Sequence, residues 1–365
     1  MRFLRPVAAH ARGCHHRRRR LAFTASLLTT FVIPTSPSAT ATPSRPLASL
    51  ASLAPSGRTN LTTPAAPATR AVPFVPVPLT SPAIDNYPAA ILASLPHPDA
   101  PPPGADDWDC SPSPAHPRPV VLLHGTFANA FNAWNAVAPQ LKADGYCVFA
   151  LNYGAPRGAI TKATAHIPDS AEELAAYVDR VLAVTGARQV DLVGHSQGGG
   201  VLPRWYLRFA GGADARDPAR NKVRRLVGIN PSNHGTTILG LGTLIQKFGL
   251  HHAVGALAGP AVPDQLIGSQ VHTTLDRGGD TVPGVAYTTI VSRLDEVATP
   301  YYHQYLTPGP GASVHNITLQ DVCPIDLAEH IGGPYDPITL QLVRNALDPS
   351  TATTPYCQLV LPIIS

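Results

Sequence analysis

From about residue 118 onward, short apolar runs rich in β-branched residues alternate with amphipathic stretches. Pro119-Val-Val-Leu-Leu-His124 predicts a buried strand, and a helical stretch follows near Asn132 to Ala143. Cys147 to Asn152 predicts a second strand. Ser170 and Glu173 have the spacing of a capping box, and Leu174, Val178, Val181 and Leu182 then recur at i, i+4, i+7 and i+8, so a helix should run to Gly186. Gln189 to Gly194 reads as a third strand, Gln197 to Ala210 as a helix and Arg225 to Asn230 as a fourth strand. Ala286 to Ser292 and Val314 to Leu319 read as the last two strands, with a closing helix near Pro337 to Ala346.

Strands alternating with helices predict an α/β architecture, a doubly wound and mainly parallel sheet. Residues 237–283 break the alternation. Ile238, Leu239, Leu241, Leu244, Ile245 and Phe248 lie there among glycines, which predicts a cap or lid-like insertion, or a satellite core cluster.

Composition changes the picture at the front of the chain. Much of the Pro content (40 of 365 residues) falls before residue 120, and residues 42–105 are rich in Pro, Ala, Ser and Thr, as in a linker or a surface arm. Within it, Ile84 to Leu95 is apolar enough to pack. Arg17 to Arg20 precede the apolar run Leu21 to Ile33, and Ala39-Thr40-Ala41 follows. A charged region, a short apolar region and an Ala-x-Ala site are the parts of a secretory signal peptide, here residues 1–41. The route, general or twin-arginine, stays open. Residues 106–365 are then the α/β domain.

The formal charge of +4 has the same origin: seven arginines lie in the first twenty residues, and the rest carries 20 basic against 23 acidic residues. A nucleic-acid partner is not expected, and no integral membrane segment is expected in the mature chain. Beyond the signal peptide remain Cys110, Cys147, Cys323 and Cys357; an even count in an exported chain predicts two disulfides. Three pairings are open, and Cys110–Cys147 with Cys323–Cys357 joins neighbours along the chain. No CxxC or Cys/His cluster points to a metal, and no cofactor is expected.

Gly194-His-Ser196-Gln-Gly198 matches G-x-S-x-G between a strand and a helix, where a sharp turn lifts a serine nucleophile above the sheet. Acyl transfer also needs an oxyanion hole. Its donors should be the backbone N–H groups of Gln197 and of Thr126, which ends the first strand in His124-Gly125-Thr126. His124 precedes Ser196, whereas this architecture orders its triad Ser, acid, His, so His124 is expected to be structural. Asp295 follows the fifth strand and is the favoured acid over Asp276, Asp280, Asp321 and Asp326. His330 follows the sixth strand in a Gly-flanked loop and is the favoured base over His303 and His315.

Together these segments resemble the secreted bacterial class 2 triacylglycerol lipases of the α/β-hydrolase superfamily. The likeness rests on Asp107-Trp-Asp-Cys110, Val121 to Asn129, Gly145 to Phe149, Val193 to Gly199, Arg293 to Pro300 and Asp321-Val-Cys323 with His330. It implies a serine carboxylester hydrolase with Ser196, Asp295 and His330 as triad, Thr126 and Gln197 as hole, and a lipid or other ester as partner, met outside the cell at a lipid–water interface. A short-chain esterase, a polyester hydrolase, an acyltransferase and, from another class, a non-catalytic secreted binding module are the alternatives.

Overall fold

Six strands form where the apolar runs lie. In the computed structural model, which describes residues 83–214, 216–237, 249 and 251–362, they are β1 (Val120–Leu123), β2 (Val148–Leu151), β3 (Val190–His195), β4 (Val223–Ile229), β5 (Ala286–Val291) and β6 (Ser313–Thr318). All pair in parallel, in the order β2-β1-β3-β4-β5-β6. Side chains alternate across such a sheet, so each face carries its own core. Val120, Leu122, Val193, Val227 and Ile290 pack on one face with the C-terminal helix Pro337–Leu347. Val121, Leu123, Leu192, Leu226 and Tyr287 pack on the other with helices α4 (Ile167–Thr185) and α5 (Val201–Phe209). This is the doubly wound, parallel α/β arrangement expected from the sequence.

The helices depart from the sequence pattern in three places. The stretch near Asn132 is two short helices, α2 (Ala130–Trp134) and α3 (Val137–Ala143), and Asn129 closes a capping box with Asn132 at the start of α2. The capping box expected at Ser170 and Glu173 does not form. α4 begins at Ile167, three residues earlier, because the Asp264 carboxylate accepts from the Ile167 N–H at 2.9 Å from outside the helix. Glu173 instead accepts from the Gly154 N–H at 3.2 Å. Finally, the helix after Ser196 is divided into a 3₁₀ turn, Ser196–Gly199, and α5. The Ser196 carbonyl accepts from the Ser232 N–H at 3.1 Å, which removes it from the helical ladder.

The described part of the front segment is packed. Helix α1 (Tyr87–Ser94) starts at an Asn86 cap, and its Ser94 hydroxyl accepts from the Asn129 and Asn132 amides, both at 3.3 Å. Asp99 pairs with the buried Lys162 at 2.6 Å. In the insertion, helices span His251–Ala258, Ala261–Asp264 and Gln270–Asp276. Ala261, Val271 and Leu275 join Ile167 and Val201 in a small separate cluster. Residues 1–41, the arm up to residue 82 and the apolar Ile238 to Phe248 stretch lie outside the described residues. Among the described residues no helix is long and apolar enough to cross a membrane.

Cys110 is bonded to Cys147, and Cys323 to Cys357, across sequence separations of 37 and 34. Loops of that size restrict the unfolded chain by about 3–4 kcal/mol each in the loop-entropy picture. Reduction should therefore lower the thermal midpoint by several degrees, read by circular dichroism with and without reductant. Superimposable melting curves would contradict this.

Candidate active site

The C-terminal ends of the strands gather the candidate residues, as expected for the crevice of an open parallel sheet. Ser196 directly follows β3 and is held at φ +55°. A non-glycine residue rarely adopts this left-handed region, and its presence at the turn is local strain. The turn is close-packed: a Cβ at Gly198 would stand 2.3 Å from the Leu123 carbonyl oxygen, and one at Gly125 would stand 3.0 Å from Ser196 Cβ. Packing against backbone thus requires glycine at Gly198, and at Gly125 any side chain would press on Ser196 and His195.

Asp295 follows β5 and His330 follows β6. His330 Nδ1 lies 2.8 Å from Asp295 Oδ2, with both side chains almost completely enclosed. The carboxylate is over-determined. Its Oδ1 accepts from the Val297 and Ala298 N–H groups at 2.9 and 2.7 Å, and its Oδ2 accepts from Gln304 Nε2 at 2.9 Å. Burial pushes the Asp295 carboxyl up, but His330 and these N–H donors outweigh it and hold it below its ordinary value. Burial pulls His330 down, and the Asp295 charge and hydrogen bond, with Glu296 and Glu329, hold it above its ordinary value. Asp295 is thus ionised, and the Nδ1 proton is fixed on its side of the ring.

His195 links this pair to Ser196. Its ring centroid lies 4.9 Å from that of His330, and its Nε2–H donates to the His330 carbonyl at 2.8 Å. Burial, then the neighbouring His330, pulls His195 down to about 3, so it stays neutral. Asn230, at φ +43°, ties the two loops together: its Oδ1 accepts from the Ser292 N–H at 2.9 Å and its Nδ2 donates to the Glu329 carbonyl at 3.2 Å. Gln304, His195 and Asn230 are the supporting residues that sequence reasoning missed.

Thr126 and Gln197 also come together, with Gln197 Nε2 donating to Thr126 Oγ1 at 2.8 Å. Among the described residues their backbone N–H groups have no acceptor. The Thr126 loop is clamped by Phe127 N–H to Lys162 O at 2.9 Å and Lys162 N–H to Ala128 O at 3.1 Å.

The remaining candidates lie elsewhere in the network. His124 is fully buried, stacks on Tyr153 at 4.5 Å, and is pulled by burial to about 4. His315 is on β6 and exposed. Asp321 pairs with Arg293 at the surface at 2.5 Å. Asp276, Asp280 and His234 lie within 4.8 Å of one another. Arg204 faces both carboxylates, at 4.0 and 3.5 Å, and the His234 ring nitrogens lie 3.3 and 3.4 Å from them. Arg204 and His234 already pair with the carboxylates, so the cluster reads as a polar pairing network rather than a metal centre.

Asp326 is buried in the loop before His330. Burial first, then the neighbouring Asp336, raises its carboxyl to about 6. The native state holds a proton there that the unfolded chain has already lost. Its contribution to stability is therefore present below about pH 4 and is lost as the pH rises through about 6. Asp326→Asn keeps an acceptor for the Ala328 N–H, which now bonds Oδ1 at 2.8 Å. It should raise stability at pH 8 by about 1–2 kcal/mol and leave pH 4 unchanged. Thermal midpoints at the two pH values check this; an equal effect at both would contradict it.

Comparison with known proteins decides the family. Residues 117–316, more than half of the chain, match the sequence profile of the family described as Lipase (class 2). The chain belongs to the class 2 lipase family. Among its relatives are triacylglycerol lipases of Pseudarthrobacter phenanthrenivorans and Burkholderia plantarii, each 37% identical over 92 residues. Those matches cover 22% of this chain and 25% and 23% of the relatives, so the chain spans about a quarter of the curated relatives it matches. Aspergillus fumigatus lipase B shares the fold, with a TM-score of 0.54 and 20% identity over 73% of this chain and 61% of that one. The chain thus has the α/β-hydrolase fold.

Proposed function

We propose that the protein is a secreted serine carboxylester hydrolase that cleaves lipid esters, with triacylglycerols as its substrate class. The observation that carries this reading is the buried Asp295–His330 pair at 2.8 Å, with the strained Ser196 directly following His195, whose ring lies 4.9 Å from that of His330. His330 Nε2 takes the proton of Ser196 Oγ as that oxygen attacks the ester carbonyl carbon. The negative charge that develops on the acyl oxygen is received by the Thr126 and Gln197 backbone N–H groups. The tetrahedral intermediate collapses, the C–O bond to the alcohol breaks, and His330 returns the proton to the leaving alkoxide. Water repeats the cycle on the acyl-enzyme, releasing the carboxylic acid and Ser196.

Three exposed apolar side chains support a lipid substrate. Phe127 adjoins Thr126, Leu294 adjoins Asp295 and Leu327 lies three residues before His330; they are 48%, 46% and 38% exposed. The paired cysteines support export, as does the N-terminal pattern. The domain plan that goes with this reading is a signal peptide over 1–41, an arm from 42 and a catalytic domain from 106. A turnover profile over p-nitrophenyl esters of increasing chain length, with an emulsified triglyceride alongside, tests it. Turnover that persists to long acyl chains and on the emulsion is expected. Activity confined to acetate and butyrate would make the protein a short-chain esterase.

A further inference from the structure

Thr126 Oγ1 receives two amide donors, Gln197 Nε2 and Gln265 Nε2, each at 2.8 Å. Amide nitrogen and oxygen are assigned from their partners, and here the partners leave one assignment. Gln197 Nε2 also donates to the Ala163 carbonyl, and Gln265 Nε2 to the Ala261 carbonyl, both at 3.0 Å. A carbonyl oxygen only accepts, so turning either amide over would set oxygen against oxygen. Ser232 Oγ donating to Gln265 Oε1 at 3.3 Å holds the second amide the same way. Both N–H ends therefore point at Thr126. A hydroxyl has two lone pairs and one proton. With both lone pairs taken, the proton is directed away from both glutamines, and among the described residues no acceptor receives it.

We propose that Gln265 is a positioning residue for ester cleavage: together with Gln197 it fills the acceptor side of the Thr126 hydroxyl and turns its proton to the acyl oxygen, as a third oxyanion donor beside the two backbone N–H groups. The inference rests on the function proposed above. Gln265 belongs to the insertion, directly after the Asp264 that caps α4 at 2.9 Å. The Gln265 and Ile167 bonds anchor this part of the insertion to the oxyanion loop and to α4. The insertion then contributes to the chemical step through one amide.

Steady-state kinetics on p-nitrophenyl butyrate test this with Thr126→Val, Gln265→Met and the double variant, thermal midpoints being recorded for each. Loss of one oxyanion donor lowers kcat on the order of 10²-fold. That loss is expected for Thr126→Val with KM little changed, and Thr126→Ser should recover most of it. Gln265→Met should lower kcat about tenfold, since the proton is then free to turn. The double variant should match Thr126→Val alone. Losses that multiply, or an unchanged kcat in Gln265→Met, would overturn the role of Gln265. Wild-type turnover abolished by Ser196→Ala, alongside either of those results, would leave the proposed function standing. Absence of wild-type ester cleavage would remove both.

Discussion

Ser196→Ala should lower kcat for ester cleavage by about 10⁵-fold or more while leaving the fold intact. The large loss follows from the mechanism, because no other hydroxyl stands at the turn between β3 and α5 beside the His330 loop. The small structural cost follows from the packing. No hydrogen bond among the described residues uses Ser196 Oγ, so its removal leaves no partner unsatisfied. The strained φ of +55° is held by the contacts around Gly125 and Gly198 and by the Ser232 N–H on the Ser196 carbonyl. The thermal midpoint should therefore stay close to that of the parent. Residual turnover of a few per cent in purified Ser196→Ala would refute the assignment.

Asp295→Asn should lower kcat by about 10⁴-fold, although it changes one atom. The Asp295 carboxylate has four donors around it: Val297 and Ala298 N–H on Oδ1, Gln304 Nε2 and His330 Nδ1 on Oδ2. An asparagine must put its oxygen on one side. Two backbone N–H groups cannot change role, so the oxygen stays with Val297 and Ala298, and the NH₂ faces His330. The imidazole then accepts at Nδ1 and carries its proton on Nε2, where it cannot take one from Ser196. The introduced NH₂ also meets Gln304 Nε2, two donors in conflict. Gln304 Nε2 also donates to the Ala298 carbonyl at 3.0 Å, so this amide cannot turn over to relieve the conflict, and Asp295→Asn should lose stability as well as turnover. A kcat within tenfold of the parent in folded Asp295→Asn would contradict the tautomer argument.

β1, β2 and β3 were legible because strands buried on both faces write largely apolar runs; all six expected strands form, including the edge strand β6, in which no residue is buried. The candidate chemistry was legible for a related reason. In an open parallel sheet the residues just beyond strand ends share one edge, so Thr126, Ser196, Asp295 and His330 could be picked by their position after β1, β3, β5 and β6. What stayed hidden depends on contacts distant in sequence. The cap of α4 comes from Asp264, 97 residues after Ile167, so the local Ser170/Glu173 pattern misled. Gln304 and Asn230 carry no local signature; they matter because folding brings their amides to Asp295 and to the His330 loop. Gln265 was hidden in the same way, inside an insertion whose apolar pattern pointed to a lid or a satellite core cluster rather than to a single amide.

A fluorophosphonate probe, followed by peptide mass mapping, tests the central claim most directly. The phosphorus should be attacked by Ser196 Oγ, displacing fluoride, and the adduct should map to the peptide that contains Gly194-His-Ser196-Gln-Gly198. Labelling should stop in Ser196→Ala and, in parallel, ester cleavage should be lost. An unlabelled Ser196 peptide in protein that still cleaves esters would contradict the account.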